Sequence, residues 1–256
     1  MRVVVIDNVM PAGEAVARAL DGTGHEAVWV PAPRLLDGLL RTGGFGLALV
    51  DLDFGREPVS GLTALRSLAG HGVPSVIYSA DSEENRLLFL LAAFEFHSPV
   101  GLITKETTGA QIRELVTAVG RGDRPSGPLR GDRYRPPAHG PSWLDRLLPT
   151  SVDLAIWEQL PYYTNRNVLA QTAHVHVKTV DKFLARHWPH VEELHRTFGG
   201  PAFLHPPETA AGDAMLRQHR PSRLAQLHGF ARTHLRFFRD AELRRLITSR
   251  THRPRT

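Results

Sequence analysis

Carboxylates, an amide, a hydroxyl and an ammonium stand at matching places in the first half of this 256-residue sequence. Asp7-Asn8 follows the apolar run Val3–Ile6, and Asp51, with Asp53 two residues on, follows Leu47–Val50. Ser79-Ala80 follows Ser75–Tyr78, and Thr104-Lys105 follows Val100–Ile103. Gathered at one edge, such groups suit an oxygen-rich anion. A carboxylate attacks phosphorus only where a cation and a fixed ammonium offset the charge gathering on the equatorial oxygens. A second set lies in the back half, where Lys178 and Lys182 are four residues apart and share one helical face, within reach of the same groove of double-stranded DNA. A third comprises His187, His190 and His195, near Glu192 and Glu193. Their spacing matches no standard metal site and cysteine is absent, so solvent-exposed histidines are expected there.

The elements that must position the first set are five short runs rich in Val, Ile and Leu, the four above and Ala27–Val30. They do not alternate with polar residues, as suits buried parallel strands. Between them lie helical spacings: Val16, Ala19 and Leu20; Leu35, Leu36, Leu39 and Leu40; Leu62, Leu65 and Leu68; Leu87, Leu88, Leu91 and Ala92. Ile112, Leu115, Val116 and Val119 carry the last. Five β-α repeats in about 120 residues predict an α/β fold with a doubly wound five-stranded parallel sheet, its site at the carboxyl ends of the strands.

With those residues in that order, the chain over 1–121 resembles the receiver domain of response regulators. The resemblance implies Asp7 and Asn8 at a Mg²⁺ site, Asp51 as phosphoacceptor and second metal carboxylate, Ser79 as the hydroxyl on the phosphoryl oxygens and Lys105 as the clamp. Three features depart from that pattern. Asn8 stands in place of the second acid, which removes a full charge from a hard-cation site. Leu102 stands three residues before Lys105, where many receivers carry an aromatic. The acceptor register is open to two countings: from Phe45 it gives Asp51, and back from Gly61 it gives Asp53. Asp51 is favoured because the apolar run stops there.

From Asp123 to Pro149 the chain is dense in Pro, Gly and Arg (Pro125, Pro128, Pro136, Pro137, Pro141), the composition of an interdomain linker extended where prolines cluster. Trp143, Leu144, Leu147 and Leu148 are available to dock it locally. Thr150 or Ser151 then caps a helix running to about Leu160, before Pro161. A second helix is expected from near Asn165 to about Thr172, burying Val168 and Leu169. A third carries Val177, Val180, Phe183, Leu184 and Trp188. Two short helices joined by a tight turn, the second amphipathic and basic, form a helix-turn-helix pattern. The stretch Asn165–Leu184, NRNVLAQTAHVHVKTVDKFL, resembles the helix-turn-helix of the NarL/LuxR family, best at Lys178-Thr179-Val180. It departs at His176, where a Ser would cap the helix, and at Asp181, where a basic or polar residue is more usual. The outward face expected is Val177, Lys178, Asp181, Lys182 and Arg186, with Thr179 in the motif itself.

Beyond Pro201, Pro206-Pro207 breaks the chain and Pro221-Ser222 looks like a helix start. The helix that follows is expected to bury Leu224, Leu227, Phe230, Ala231, Leu235 and Phe238, a stripe available to the helix-turn-helix, a second subunit or DNA phosphates. Residues 217–256 hold eleven arginines against Asp240 and Glu242.

Charge divides the chain in the same place. Residues 1–123 carry 10 Lys/Arg against 15 Asp/Glu, and the rest 21 against 11, so an acidic front precedes a basic back that suits a polyanion. Only Lys105, Lys178 and Lys182 are lysine, which suggests a GC-rich genome and an atypical actinobacterial member of the family resembled. The absence of cysteine excludes disulfides, and no stretch approaches the roughly 18 apolar residues of a membrane span. A cytoplasmic location is expected.

The organisation expected is a receiver-like domain over 1–122, a linker over 123–149, a helix-turn-helix domain over 150–200 and a basic helical extension over 201–256. The function expected is a non-enzymatic, sequence-specific transcription regulator acting as a homodimer on double-stranded DNA, under a sensor histidine kinase or another input. Two alternatives remain. Leu49-Val50-Asp51-Leu52-Asp53-Phe54-Gly55 also resembles the nucleophile motif of haloacid-dehalogenase-type phosphatases, although two β-α units precede it and no acidic pair follows Lys105 at a later strand end. The other is a regulator that binds protein through its basic tail and never touches DNA.

Overall fold

The computed structural model describes residues 1–55, 59–80, 86–123, 125, 129, 131–199 and 222–251. Pro128 of the expected linker lies outside the described residues, as do the break at Pro206-Pro207, Pro221, and Arg217, Arg220, Arg253 and Arg255 of the extension. The chain forms two compact units, Met1–Pro136 with Asp240–Leu243, and Pro137–Arg239 with Arg244–Thr256.

In the first unit, β1 (Arg2–Ile6), β2 (Glu26–Val30), β3 (Phe45–Val50), β4 (Ser75–Ser79) and β5 (Gly101–Thr104) pair as a parallel sheet in the order β2-β1-β3-β4-β5. Val3–Ile6 and Leu47–Val50 are wholly buried, since helices cover both faces of the central strands, and hence their apolar runs are unbroken. Between the strands lie α1 (Met10–Leu20), α2 (Leu36–Leu40) after a 3₁₀ turn, α3 (Gly61–Gly70) and α4 (Arg86–Phe96), and α5 (Gly109–Gly120) follows β5. Val16, Ala19 and Leu20 of α1 share one core with Ile112, Leu115 and Val116 of α5 and with Val3, Val5, Leu47 and Leu49 of the sheet. Ser60 caps α3 through Leu62 N–H, and Thr108 with Gln111 forms a capping box on α5. From β1 the chain steps outward to β2, then returns to the other side of β1 as β3. That reversal opens a crevice beyond the carboxyl ends of β1 and β3, where ligands of such sheets bind.

Part of the proline-rich stretch is docked on this unit. Tyr134 stacks on Phe94 of α4 with centroids 6.1 Å apart, Arg135 lies over the same ring at 5.0 Å, and its guanidinium donates to Pro99 O at 3.0 Å. Gly131 turns at φ 65° directly on Phe94, where a Cβ would come within 2.2 Å of the ring.

The second unit is helical: α6 (Trp143–Leu147), α7 (Ser151–Gln159), α8 (Arg166–Thr172), α9 (Val177–Phe198), α10 (Arg223–Thr233), α11 (Leu235–Phe238) and α12 (Ala241–Thr251), whose first residues group with the other unit. Leu144, Leu147 and Leu148 dock α6, and all three are buried. Trp157 of α7 is the centre of the core. Its ring stacks on Phe238 at 4.8 Å with planes 2° apart, and Phe183, Phe230 and His187 surround it at 5.0, 5.5 and 5.6 Å. Its indole N–H donates to Leu147 O at 2.8 Å.

This arrangement corrects several expectations. The single helix after Ser222 is broken at His234 into α10 and α11. The stripe offered to a second subunit is closed inside the unit, because Leu227, Phe230, Ala231 and Phe238 are buried, while Leu224 and Leu235 are half-buried. Val168, expected inside, is exposed, and Leu169 alone anchors that pair.

Because Phe238 forms one wall of the core around Trp157, Phe238→Ala should destabilise the second unit by about 3–5 kcal/mol. Equilibrium urea unfolding of the full chain measures this. A loss below about 0.5 kcal/mol, the range of surface substitutions, would show that the C-terminal segment is peripheral.

Candidate functional site

Lys105, just past β5, reaches back across the sheet top with Nζ 2.5 Å from Asp51 Oδ2 and 3.1 Å from Asp7 Oδ2. Asp7 and Asp51 are 0% and 1% exposed. Each carboxylate is also held by the backbone that follows it: Val9 N–H donates to Asp7 Oδ1 at 2.8 Å, and Leu52 N–H to Asp51 Oδ1 at 2.7 Å. Gly61 presses on this loop so closely that a Cβ would meet Asp51 O at 2.1 Å; no side chain fits at the start of α3. Ser79 ends β4 fully buried, and its Oγ has no hydrogen-bond partner among the described residues.

Asp7, Asp51 and Lys105 therefore meet at the crevice, with Ser79 at the neighbouring strand end. Asn8 is exposed, and Asp53 is half-buried with Oδ1 accepting from Gly55 N–H at 3.0 Å. Of the two registers, Asp51 is the one that bonds Lys105. Leu102, in the place of the aromatic, is nearly buried. Among the described residues no strand follows β5, and no group of three or more His, Asp or Glu stands close enough to hold a metal.

Burial raises the Asp7 carboxyl above the usual carboxylate range, and the neighbouring Asp51 charge raises it further. Burial alone would lower Lys105. The hydrogen bond and charge of Asp51, with the charge of Asp7, outweigh it and hold the ammonium above its ordinary value. Tyr78 is pushed up by burial and by Asp7. As for a metal, Asp7 Oδ2 is buried without a hydrogen bond among the described residues, with the Lys105 ammonium 3.1 Å away. Asp7 and Asp51 thus fit a hard cation, but Asn8 adds no charge and Lys105 competes for both carboxylates.

In the second unit Asn165 caps α8 and His176 caps α9, its Nδ1 accepting from Lys178 N–H at 3.1 Å. An imidazole thus does the capping expected of a serine. Lys178, Asp181, Lys182 and Arg186 are exposed on one side of α9, Val177 and Thr179 are half-buried, and Val180, Phe183 and Leu184 face the core. Two members of the expected face have partners within the unit. Asp181 bonds Arg166 at 2.8 Å, and Arg186 reaches Asp153 at 3.3 Å.

The histidines differ from the expectation. His187 is fully buried and His195 nearly so. His187 Nε2 lies 2.9 Å from Asp153 Oδ1, while Thr150 donates to the other oxygen at 2.5 Å. Burial would raise Asp153, but the bonds from His187 and Thr150 prevail and hold it below its ordinary value. Spacing alone does not reveal this pair, although His187 continues the buried stripe of Val180, Phe183 and Leu184, and so does Val191.

No family model matches the chain, and no curated protein does. Among solved structures it is similar to the receiver domain of NtrX from Brucella abortus, at 16% identity over 46% of this chain and 96% of that one, TM-score 0.41. A response regulator receiver protein from Burkholderia phymatum matches at 23% identity over 49% and 98%, TM-score 0.40. The RcsB response regulator of Salmonella typhimurium matches at 12% over 78% and 93%, TM-score 0.48. Among the described residues no helix is long and apolar enough to cross a membrane.

Two carboxylates perturbed in opposite directions give opposite pH dependences. The folded value of Asp7 lies above the unfolded one, so its contribution is fully present below about pH 4 and is lost as pH rises through the folded value. Asp7→Asn should therefore stabilise, with a gain that grows from acid to neutral pH. Asp153 is depressed, so its contribution is present above about pH 4 and is lost as pH falls through the folded value. Asp153→Asn should destabilise most at neutral pH. Thermal unfolding of the three proteins across a pH series checks both signs, and parallel curves would contradict them.

Proposed function

We propose that this protein is a DNA-binding transcription regulator of the response-regulator type, with a receiver-like first unit and a NarL/LuxR-like helix-turn-helix in the second. The observation that carries this reading is the face of α9. Lys178 and Lys182 lie four apart, exposed and without a carboxylate partner among the described residues, on a helix whose opposite side is core and which follows capped α8 by a tight turn. Such a helix presents its first turns to base edges while the preceding helix crosses the backbone. The protein acts as a homodimer on two half-sites, since one helix-turn-helix reads few base pairs. No catalytic step is assigned to it.

A titration of duplex DNA over a salt series tests the reading. The affinity of the wild type should fall steeply with salt. Lys178→Ala with Lys182→Ala should weaken binding and lower the slope by about one for each phosphate that the variant no longer neutralises. Equal binding by the double variant would refute the assignment of this face.

At the sheet top we infer a switch governed by charge and packing rather than by a long-lived aspartyl phosphate. Asp7 and Asp51 would hold Mg²⁺, which would offset charge on a phosphoryl group. Lys105 already bridges both carboxylates, and a sensor histidine kinase is one input among others. Added Mg²⁺ should raise the unfolding temperature of Asn8→Asp more than that of the wild type, since a new carboxylate strengthens the cation site. Phosphodonor labelling of wild type, Asp51→Asn and Asn8→Asp completes the test. Robust labelling of the wild type at Asp51, with DNA affinity dependent on it, would overturn the charge-and-packing reading.

A further inference from the structure

The second unit is rich in arginine, and five of its arginines face the unit's own carboxylates. Arg146 meets Glu193 at 3.1 Å, Arg166 meets Asp181 at 2.8 Å and Arg186 meets Asp153 at 3.3 Å. Arg244 meets Glu158 at 2.7 Å and Arg250 meets Asp145 at 3.0 Å. Arg239, exposed at the end of α11, is different. It has no carboxylate partner among the described residues, and its guanidinium lies 4.8 Å from the ring centroid of Tyr162. A ring under a guanidinium fixes its place without cancelling its charge. Tyr162 is itself 46% exposed, so the stacked pair stands in water.

Its place in the unit gives the pair a use. Tyr162 lies in the turn between α7 and α8, three residues before the Asn165 cap. The residue after that cap, Arg166, bonds Asp181 on the exposed face of α9, so the start of α8 adjoins that face. The first helix of a helix-turn-helix crosses the DNA backbone, so residues beside it come near phosphates. We propose that Arg239, held on Tyr162, is a backbone-phosphate contact supplied to the helix-turn-helix by the C-terminal segment. The proposal rests on the DNA-binding reading above and adds a contact from outside the motif.

A phosphate contact carries no base information, so a duplex of mixed sequence suffices as probe, with the full chain as protein. Arg239→Ala should weaken binding and lower the salt slope by about 0.9, the value of one phosphate. Arg239→Lys should keep most of the slope, and Tyr162→Leu should weaken binding with the charge still present. Arg223 stacks on Trp188 at 5.6 Å, eleven residues along α9 from its start, and serves as the control. Arg223→Ala removes the same charge and should leave the slope near wild type. Unfolding temperatures confirm that each variant is folded. An unchanged slope for Arg239→Ala, or an equal fall for Arg223→Ala, overturns this proposal and leaves the DNA reading standing. A wild type that binds no duplex overturns both.

Discussion

Asp7 and Asp51 are almost wholly withdrawn from water, and the ammonium of Lys105 lies between them. Taking any one of the three charges out of water alone would cost several kcal/mol, and it is the ammonium that offsets the two carboxylates, which repel each other. The three residues come from the ends of β1, β3 and β5, which are not sequence neighbours. The cluster closes only if the sheet has its order and register, and a slip of one residue in β3 would turn Asp51 to the opposite face. Lys105 N–H donating to Ser79 O at 3.2 Å, and Gly61 seated on Asp51 O, are the local devices that hold this register at the sheet top. The crevice at the strand reversal is therefore a consequence of the same parallel pairing that buries Val3–Ile6.

The second unit solves a related problem with other groups. Asp153 and His187 join α7 to α9 in a core built around Trp157, and Thr150 and Arg186 satisfy the remaining carboxylate demand. Geometry between the two helices then sets how the exposed side of α9 is presented. The aromatic shell around Trp157 draws on residues as far apart as Phe183 and Phe238, so α9 and the C-terminal segment share one core.

Much of this was legible in the residues. The apolar runs marked all five strands, most plainly the central ones, where cover on both faces leaves no polar positions, and the helical spacings marked the five helices of the first unit. The capping residues Thr150 and Asn165 marked helix starts for the reason such residues usually do: their side chains accept orphan backbone N–H groups. What stayed hidden depended on distant partners. His187 reads as a polar residue until Asp153, thirty-four positions earlier, is brought beside it, although its place on the buried stripe was visible. Phe230 and Phe238 read as an apolar stripe with three possible uses, because the sequence does not show Trp157 beneath them. Asp53 and Asp51 were both open to the count along the sequence, and the structure shows Asp51 as the one that bonds Lys105.

A net charge says little about which surface meets a polyanion, because neutralised cations attract weakly at any distance beyond the screening length. In the second unit Arg146, Arg166, Arg244 and Arg250 face carboxylates, so these four cations are neutralised locally although the net surplus remains. Lysine is used differently. Lys178 and Lys182 project from α9 with no acid opposite them among the described residues, and the third lysine of the chain, Lys105, works as a compact ammonium between two buried acids. Arginine's planar fork suits paired contacts with carboxylates, whereas lysine offers a mobile point charge. A chain with only three lysines thus places each where a compact ammonium serves, either clamped between two buried acids or left exposed on a helix face.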